Sequence, residues 1–301
     1  MRSPRRVHDR QFFYKYLKPE VAKIVIASRK IRWSSPILFN DPFDTTQELP
    51  VAFADEEVAA LVDQKVAAIV EAGRGAETIR HPVLKALTML MQKAGPEARK
   101  EFAAELRKKR DRNSYPAMQA MKDQWRQMVP SFRILCMSEK NDVPPMWSHY
   151  AADYRGMVLE FSAVDEVDSA LLLARPVVYQ DEPAAIADAD KWAECILREG
   201  AEFVDLLRDF QYTKKTAWAY EKEWRVSQMG SRSGETAAFA DYGFNPMELT
   251  GVYLGPRSSQ ADKDDVRALL IGDLSHVKTY EASLDQRRLQ INFKMVGNEA
   301  V

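Results

Sequence analysis

Residues 217–228 read Ala-Trp-Ala-Tyr-Glu-Lys-Glu-Trp-Arg-Val-Ser-Gln, a stretch in which large apolar and charged side chains alternate. A period of two residues is the pattern of a β-strand that turns one face toward a core. The apolar face comprises Trp218, Tyr220, Trp224 and Val226. The opposite face then carries Glu221, Glu223 and Arg225. We therefore predict a firmly anchored strand that presents two carboxylates and a guanidinium.

Shorter aromatic or β-branched stretches on both sides of this segment predict further strands. They fall at residues 11–16, 30–33, 132–138, 156–161, 176–179, 252–254, 277–280 and 289–293. Helices are predicted from Pro19, at 184–212 and near 260–271. Because strands and helices do not alternate steadily, the order predicts an α+β fold with a mixed or antiparallel sheet rather than a doubly wound one.

Residues 55–128 differ from the rest because their apolar side chains recur at helical spacing. Gly73, Pro82 and the Gly95-Pro96 pair divide this region into several helices. One stripe indicates core packing or, alternatively, a partner groove: Met118, Met121, Trp125 and Met128. We predict a basic flexible tail at 1–10 and a single α+β domain at 11–301. A helical insertion at about 55–128 belongs to that domain.

Composition excludes several classes of protein. The 301 residues carry a net charge of −1, so no overall field attracts nucleic acid or an anionic membrane. No apolar run approaches the ~18 residues of a membrane span. Cys136 and Cys195 are too few for a disulfide framework and lie among apolar neighbours, which predicts two small core residues. We expect a cytoplasmic protein without a structural or catalytic metal.

The Phe-Asn-Asp-Pro-Phe-Asp segment at 39–44 supports two interpretations. Asn-Asp-Pro favours a turn, because short polar side chains bond their own backbone and proline fixes φ. Alternatively, Asn40, Asp41 and Asp44 contribute polar groups to a cleft, where the two carboxylates suit a hydroxyl-rich ligand such as a ribose.

Two further polar-aromatic clusters lie in the middle of the chain. Met-Trp-Ser-His-Tyr at 146–150 contains His149 and Tyr150, and His149 is the strongest acid–base candidate among the four histidines. Tyr-Arg-Gly at 154–156 precedes a predicted strand, where Arg155 is suited to clamp a phosphate or, equally, to pair with a carboxylate.

Glu221, Glu223 and Arg225 form the most chemically specific set. Two carboxylates held close together drive one pKa upward, which produces a catalytic acid or base. The alternative is a surface ion pair in which Arg225 neutralises one of the glutamates. If Glu223 is catalytic, we expect Glu223→Gln to abolish activity and to leave folding intact.

In chain order, these clusters resemble a known family. Its pieces are Phe13-Tyr-Lys-Tyr16, Phe39-Asn-Asp-Pro-Phe43, Cys136-Met-Ser138, Met146-Trp-Ser-His-Tyr150, Tyr154-Arg-Gly156, Glu160-Phe161, Tyr220-Glu-Lys-Glu-Trp-Arg225 and Tyr253-Leu-Gly255. Over roughly residues 12–280 the chain resembles the bacterial family named domain of unknown function 2971. The layout is similar to that of ADP-ribosyltransferase-type domains, which implies NAD as a substrate.

That layout implies roles for individual residues. Cleavage of the nicotinamide–ribose bond passes through an oxocarbenium-like state, which a carboxylate stabilises. The resemblance implies Glu223 for this role and Glu221 for activating the acceptor, with Arg225 beside them. It further implies that Tyr14 or Lys15 holds the phosphates or adenosine, that Tyr150 stacks on nicotinamide, and that His149 or Arg155 binds diphosphate or ribose.

Two other functions stay open. A metal-dependent nuclease or other nucleotide-processing enzyme would use Asp41, Asp44 and the glutamate pair around a divalent ion. Residues 107–112 and Lys214-Lys215 would then meet nucleic acid, although both are more simply solvated helix ends. A non-catalytic sensor would instead use the helical insertion as its partner surface. The macromolecular acceptor of a transferase is not defined by the sequence.

Overall fold

A computed structural model of the chain describes residues 2–49, 53–108, 116–181, 188–198, 210–228 and 237–297, with the backbone alone at 116–118 and 121. The chain divides into two units. The first unit comprises Met1–Asp44, Pro130–Tyr179 and Lys214–Val301. The second comprises Thr45–Val129 and Gln180–Thr213. The predicted insertion at 55–128 lies in the second unit, which also takes in residues from 180–213.

A ten-stranded sheet forms the centre of the first unit. Its strands are β1 (Phe12–Leu17), β2 (Lys30–Ser34), β3 (Arg133–Ser138), β4 (Met157–Ser162), β5 (Arg175–Pro176), β8 (Glu223–Gln228), β9 (Phe239–Gly243), β10 (Leu249–Leu254), β11 (Lys278–Asp285) and β12 (Gln290–Val296). Two shorter strands are β6 (Val178–Tyr179) and β7 (Thr213–Lys214). The strand β9 is one that the sequence analysis missed.

The sheet order is β12-β11-β10-β4-β1-β3-β2-β9, and β8 pairs with β3 and β5. β10 and β11 run parallel, while the other pairs in this sheet are antiparallel. The prediction of an α+β fold with a mixed or antiparallel sheet is confirmed.

The strand β3 has a different neighbour at each end of one edge. Tyr14 of β1 lies opposite Ser138, and Ser34 of β2 lies opposite Ile134. On its other edge, β3 pairs with β8 along its whole length, so that Cys136 faces Arg225 and Ser138 faces Glu223. β3 therefore brings the segments around 14, 34 and 223–225 together.

Helices of the first unit are α1 (Pro19–Ser28), α6 (Pro144–His149) and α8 (Gln260–Leu269). Pro19 begins α1, where a missing N–H costs nothing and φ is already helical. The main core lies against one sheet face and includes Phe13, Leu159, Val226 and Val252. The other face carries a smaller core with Tyr16, Trp147, Val158 and Tyr253.

The basic residues 2–10 contact other residues of the first unit. The sequence analysis had predicted a flexible tail here, so the structure differs from that prediction. Arg6 pairs with Asp165 at 2.9 Å and donates to the carbonyl oxygen of Ala163 at 2.7 Å. Hydrogen bonds from Arg6 and from the Ser3 backbone lower the pKa of Asp165 to about 2. The arginines of this segment are thus partly taken up by specific carboxylates.

The second unit is helical in its described part. Its helices are α2 (Asp55–Ala72), α3 (Pro82–Gln92), α4 (Pro96–Lys108), α5 (Pro116–Met128) and α7 (Ala189–Arg198). α2 begins with acidic residues that suit its positive end, and it ends at Gly73 with φ 66°. Its buried valines recur every four residues, at Val58, Val62, Val66 and Val70. Trp125 is buried and donates from Nε1 to the carbonyl oxygen of Thr46 at 2.9 Å. Core packing, one of the two interpretations of the predicted stripe, therefore holds for Trp125. The side chains of Met118 and Met121 are not among those that the structure describes.

The predicted strand at 217–228 is wrong in its first half. Residues 216–221 form a 3₁₀ turn, and Lys222 adopts a left-handed conformation with φ 47° before β8 begins at Glu223. Alternation of apolar and polar residues does not distinguish a strand from such a turn when the run is short. Within β8 the predicted faces hold, because Trp224 and Val226 pack with the main core and Glu223 and Arg225 point away from it.

Candidate functional site

A cavity of about 250 Å³ lies on the side of the sheet away from the main core. Alternating residues of three neighbouring strands line it: Arg32 and Ser34 of β2, Ile134, Cys136 and Ser138 of β3, and Glu223 and Arg225 of β8. Tyr14, Lys15, Asn40, Asp44, Tyr150, Lys214 and Glu221 complete most of the wall. The period of two along the strands explains why polar residues meet here while their neighbours enter the core.

Buried ion pairs dominate the cavity wall. Arg225, with no exposed surface, donates to both carboxylate oxygens of Asp44, at 2.8 and 2.5 Å. It also donates from Nε and Nη2 to Glu223, at 2.8 and 3.0 Å. A planar guanidinium suits such paired contacts. Arg225 therefore fixes Asp44 and Glu223 in place.

Lys214 is the second buried cation of the site. Its Nζ lies 2.6 Å from Glu221 Oε2, 3.2 Å from Glu223 Oε2 and 3.6 Å from Asp44 Oδ2. Burial alone would lower the pKa of Lys214, but the three carboxylates outweigh it and raise that pKa. The sequence analysis took Lys214 for a solvated helix end, and that interpretation is wrong. Asp44 is distant from Lys214 in sequence, and the turn at 216–221 separates Lys214 from Glu223. The residues next to Lys214 in sequence therefore do not predict its burial.

The two glutamates have opposite pKa shifts. Burial would raise the pKa of Glu223, but Arg225 and Lys214 outweigh burial and hold that pKa well below its usual range. At Glu221, burial and the nearby Glu223 charge prevail over Lys214, so the pKa is raised. One carboxylate thus stays ionised while its neighbour is suited to exchange a proton.

Tyr150 and Asn40 extend the hydrogen bonding at Glu221. The Tyr150 hydroxyl donates to Glu221 Oε1 at 2.7 Å and accepts from Asn40 Nδ2 at 3.0 Å. Burial and the Glu221 charge raise the pKa of Tyr150, so the phenol stays protonated and acts as a donor. Asn40 and Tyr150 therefore lie where the sequence analysis expected ligand-binding groups, at the cavity wall.

Lys15 and Tyr14 line the cavity but already have protein partners. Lys15 Nζ donates to the carbonyl oxygen of Cys136 at 2.6 Å, at the point of β3 between its pairings with β1 and β2. The Tyr14 ring meets Tyr253 edge-on at 6.0 Å. Lys15 thus provides a hydrogen-bond donor for a backbone carbonyl of the site. The ligand contact that the resemblance implies for Lys15 stays a prediction.

Three predicted site residues lie outside the cavity wall. Asp41 is buried, and its Oδ1 accepts the Phe43 amide at 2.9 Å, which is the turn that Asn-Asp-Pro favours. His149 is exposed at the end of α6 and lies 3.4 Å from the Tyr220 hydroxyl. Arg155 is 61% exposed and lies 4.0 Å from Asp153. The structure does not bring these three side chains together with the glutamates.

Cys136 is a wall residue that the sequence analysis placed in the core. It is half-buried and lies opposite Arg225 in the β3–β8 pairing. Burial and the Glu223 charge raise the pKa of its thiol, so the sulfur stays protonated and donates to Glu223. Cys195, in contrast, is buried in α7 as predicted.

The glycines of the Tyr-Arg-Gly and Tyr-Leu-Gly motifs allow close backbone packing. A Cβ at Gly156 would lie 2.2 Å from the carbonyl oxygen of Leu17, and one at Gly255 would lie 2.2 Å from that of Tyr154. The Gly255 amide donates to the Gly156 carbonyl at 3.0 Å. The two glycines therefore allow the backbone at the start of β4 and at the end of β10 to pack closely.

Neither a metal cluster nor a membrane helix is found in the part of the chain that the structure describes. Among those residues, His, Cys, Asp and Glu side chains form no group of three with the geometry of a metal site. No described helix combines the length and apolar character needed to cross a bilayer.

The first unit is thus an α+β domain whose sheet carries a cavity of paired carboxylates and cations. The family described as "Protein of unknown function (DUF2971)" matches residues 146–226, which run from α6 to β8. The predicted resemblance to this family is confirmed over that segment, which contains Tyr150, Lys214, Glu221, Glu223 and Arg225. Comparison with curated proteins and with solved structures finds no match.

Proposed function

We propose that the cavity binds the ribosyl–nicotinamide part of NAD and cleaves its glycosidic bond, as an ADP-ribosyltransferase or NAD glycohydrolase. The observation that supports this is a buried carboxylate pair in unequal surroundings. Arg225 and Lys214 both donate to Glu223, whereas Glu221 accepts from Lys214 and Tyr150. These contacts and burial hold the pKa of Glu223 below its usual range and that of Glu221 above it. Glycosyl transfer needs a permanent negative charge near the sugar and a separate group that accepts a proton.

In the proposed reaction, the bond between ribose C1′ and the nicotinamide nitrogen breaks. Its electron pair leaves with nicotinamide, which becomes neutral, and positive charge develops on the ribose. Glu223, ionised and immobilised by Arg225 at 2.8 Å, faces that charge. Water or an acceptor hydroxyl then attacks C1′, and Glu221 takes its proton. Tyr150 positions Glu221 through the 2.7 Å hydrogen bond.

The nuclease alternative has less support from the geometry. A divalent ion needs several free carboxylate oxygens. Asp44, Glu221 and Glu223 each already contact Lys214 or Arg225. Such an ion would have to displace a buried cation, whereas a developing oxocarbenium only shares the field of the fixed carboxylates.

The proposal extends to the biological setting. We further propose that the protein acts in the cytoplasm as a toxin or phage-defence effector. A nucleotide is the proposed small-molecule partner, and a macromolecule the acceptor.

Release of nicotinamide from NAD by the purified full-length protein tests the proposal. Glu221→Gln removes the proposed proton acceptor and is expected to lower the rate about 100-fold or more. Glu20→Gln, an exposed change on α1, is the matched control and should leave the rate unchanged.

Ligand-induced thermal stabilisation separates the alternatives, since a ligand that binds only the folded state raises its stability. Stabilisation by NAD or ADP-ribose without metal supports the proposal. Stabilisation by Mg²⁺ or Mn²⁺ alone, together with cleavage of nucleic acid, would establish the nuclease instead. If neither class of ligand stabilises the protein and no nicotinamide is released, both enzyme proposals fail and the non-catalytic sensor becomes the proposed function.

A further inference from the structure

A second cavity, of about 490 Å³, lies on the opposite side of the same sheet. Ile31 and Trp33 of β2, Leu135 of β3 and Val226 of β8 line it, and these residues alternate with those that line the first cavity. Met137 borders both cavities. The wall that the sheet contributes to the second cavity is therefore mainly apolar, as expected for the core face of a sheet.

Aromatic rings form two pairs in this wall. Trp33 and Tyr242 meet edge-on with their centroids 5.4 Å apart, and Phe161 and Phe244 do so at 5.0 Å. All four residues line the cavity. Ring faces carry partial negative charge and attract organic cations.

A buried carboxylate, that of Glu248, completes the wall. Glu248 is 7% exposed, and its oxygens accept hydrogen bonds from the Ser169 hydroxyl and from the Asn245 amide at 2.6 Å. Within the described ranges, no Lys, Arg or His forms an ion pair with it. Burial raises the pKa of Glu248 because these two hydrogen bonds only partly offset desolvation. A buried carboxylate with no charged partner is unusual and is stabilised by any cation that reaches it.

The other charged residues of the wall compensate each other. Arg5, from the N-terminal segment, pairs with Asp168, and both line the cavity. Among the described residues that line the cavity, the charge that remains is that of Glu248. An anionic ligand is therefore disfavoured, and a lone carboxylate among aromatic rings offers too few oxygens for Ca²⁺ or Mg²⁺.

We propose that this second cavity binds a small organic cation, an amine or quaternary ammonium compound with an apolar body. Its charge lies against Glu248, and its apolar part packs on the aromatic pairs. The combination of aromatic faces and one placed carboxylate is a recognised way of binding ammonium groups. This proposal does not depend on the activity proposed for the first cavity.

Calorimetric titration of the full-length protein with choline and with benzyltrimethylammonium tests the proposal. The uncharged carbon analogue of choline, 3,3-dimethylbutan-1-ol, is the ligand control. We expect at least one cation to bind and the alcohol to bind about tenfold more weakly or worse. Equal binding of the alcohol, or no binding of either cation, would overturn the proposal.

Variants then locate the binding site. Glu248→Gln removes the charge but keeps a side chain that serves the capping box with Asn245, so folding should persist, as circular dichroism can check. It should weaken cation binding at least tenfold. Tyr242→Leu removes one ring and should weaken binding about tenfold.

Glu221→Gln, in the first cavity, should leave cation binding unchanged. If Glu221→Gln abolishes binding and Glu248→Gln does not, the cations occupy the first cavity and the proposal fails. If the wild-type protein binds choline but cleaves no NAD, only the first proposal fails.

Discussion

The Tyr150 hydroxyl donates a 2.7 Å hydrogen bond to Glu221, so the residue that directly follows α6 contacts the glutamate that precedes β8. This bond favours the charged carboxylate, and it is one of the interactions that oppose the raised pKa of Glu221.

Tyr150→Phe should raise the pKa of Glu221 further, because the ionised form loses a donor. The acidic limb of the pH–rate profile for NAD cleavage should then move to higher pH. Tyr220→Phe, whose hydroxyl lies 3.4 Å from His149, is a matched control with no expected change in that limb. An unmoved profile in Tyr150→Phe would remove Tyr150 from this positioning role.

Glu223→Gln should destabilise the protein, which revises the expectation that folding stays intact. The change leaves Arg225 and Lys214 with one fewer buried counter-charge, and breaking buried pairs of this kind costs about 3–5 kcal/mol. Glu221→Gln should cost less than Glu223→Gln, because Lys214 keeps Glu223 and Asp44 as partners and Arg225 loses none. Urea unfolding of both variants at neutral pH measures the difference, and equal costs would contradict it.

Acid should weaken the fold through Glu223. Its folded pKa lies below the unfolded value of 4.5, so its contribution is present above pH 4.5 and is lost as pH falls through the folded pKa. Lys214 acts at the other extreme, because its raised pKa gives stability that is present below 10.5 and is lost at more alkaline pH. The free energy of unfolding of Glu223→Gln should therefore fall less steeply than that of the wild type below pH 4.5. Parallel pH curves would exclude Glu223 as a source of acid sensitivity.

Arg225→Lys should destabilise the protein by about 3–5 kcal/mol although it conserves the charge. An ammonium cannot contact both Asp44 oxygens and both Glu223 oxygens, as the guanidinium does. Arg126→Lys, in the second unit, removes a comparable pair with the 71% exposed Glu48 and should cost less than about 1 kcal/mol. Thermal unfolding of the two variants gives the comparison.

Gly156→Ala should destabilise the first unit by about 1–3 kcal/mol or more, because its Cβ would lie 2.2 Å from the Leu17 carbonyl oxygen. Gly95→Ala is the control, since no atom lies within 4 Å of the added Cβ, and its effect should stay within about 0.5 kcal/mol. Chemical denaturation is the measurement. A tolerated Gly156→Ala would show that the backbone at Gly156 can move away from Leu17 at the end of β1.

Sequence patterns predicted most elements of the sheet but not how the site is assembled. The class of fold, the strands around 12–17, 133–138 and 157–162, and the outward face of Glu223 and Arg225 follow from residue periodicity. Lys214 could not be recognised, because its burial depends on Asp44, which is distant in sequence. Asp41, His149 and Arg155 carry the right chemistry but do not line the cavity, and residue type alone does not show which residues of a loop reach it. The second cavity depends on tertiary packing, which no local pattern contains.

The alternating faces of β3 make the two cavities inseparable. Ile134, Cys136 and Ser138 belong to the charged side, and Leu135 belongs to the aromatic side. A slip of one residue in the β3–β8 register would exchange these sets, placing a leucine among the ion pairs and a cysteine among the rings. We therefore expect the insertion or deletion of a single residue in β3 to disrupt both cavities. A variant that keeps one cavity must therefore keep the β3–β8 register on which the other cavity depends.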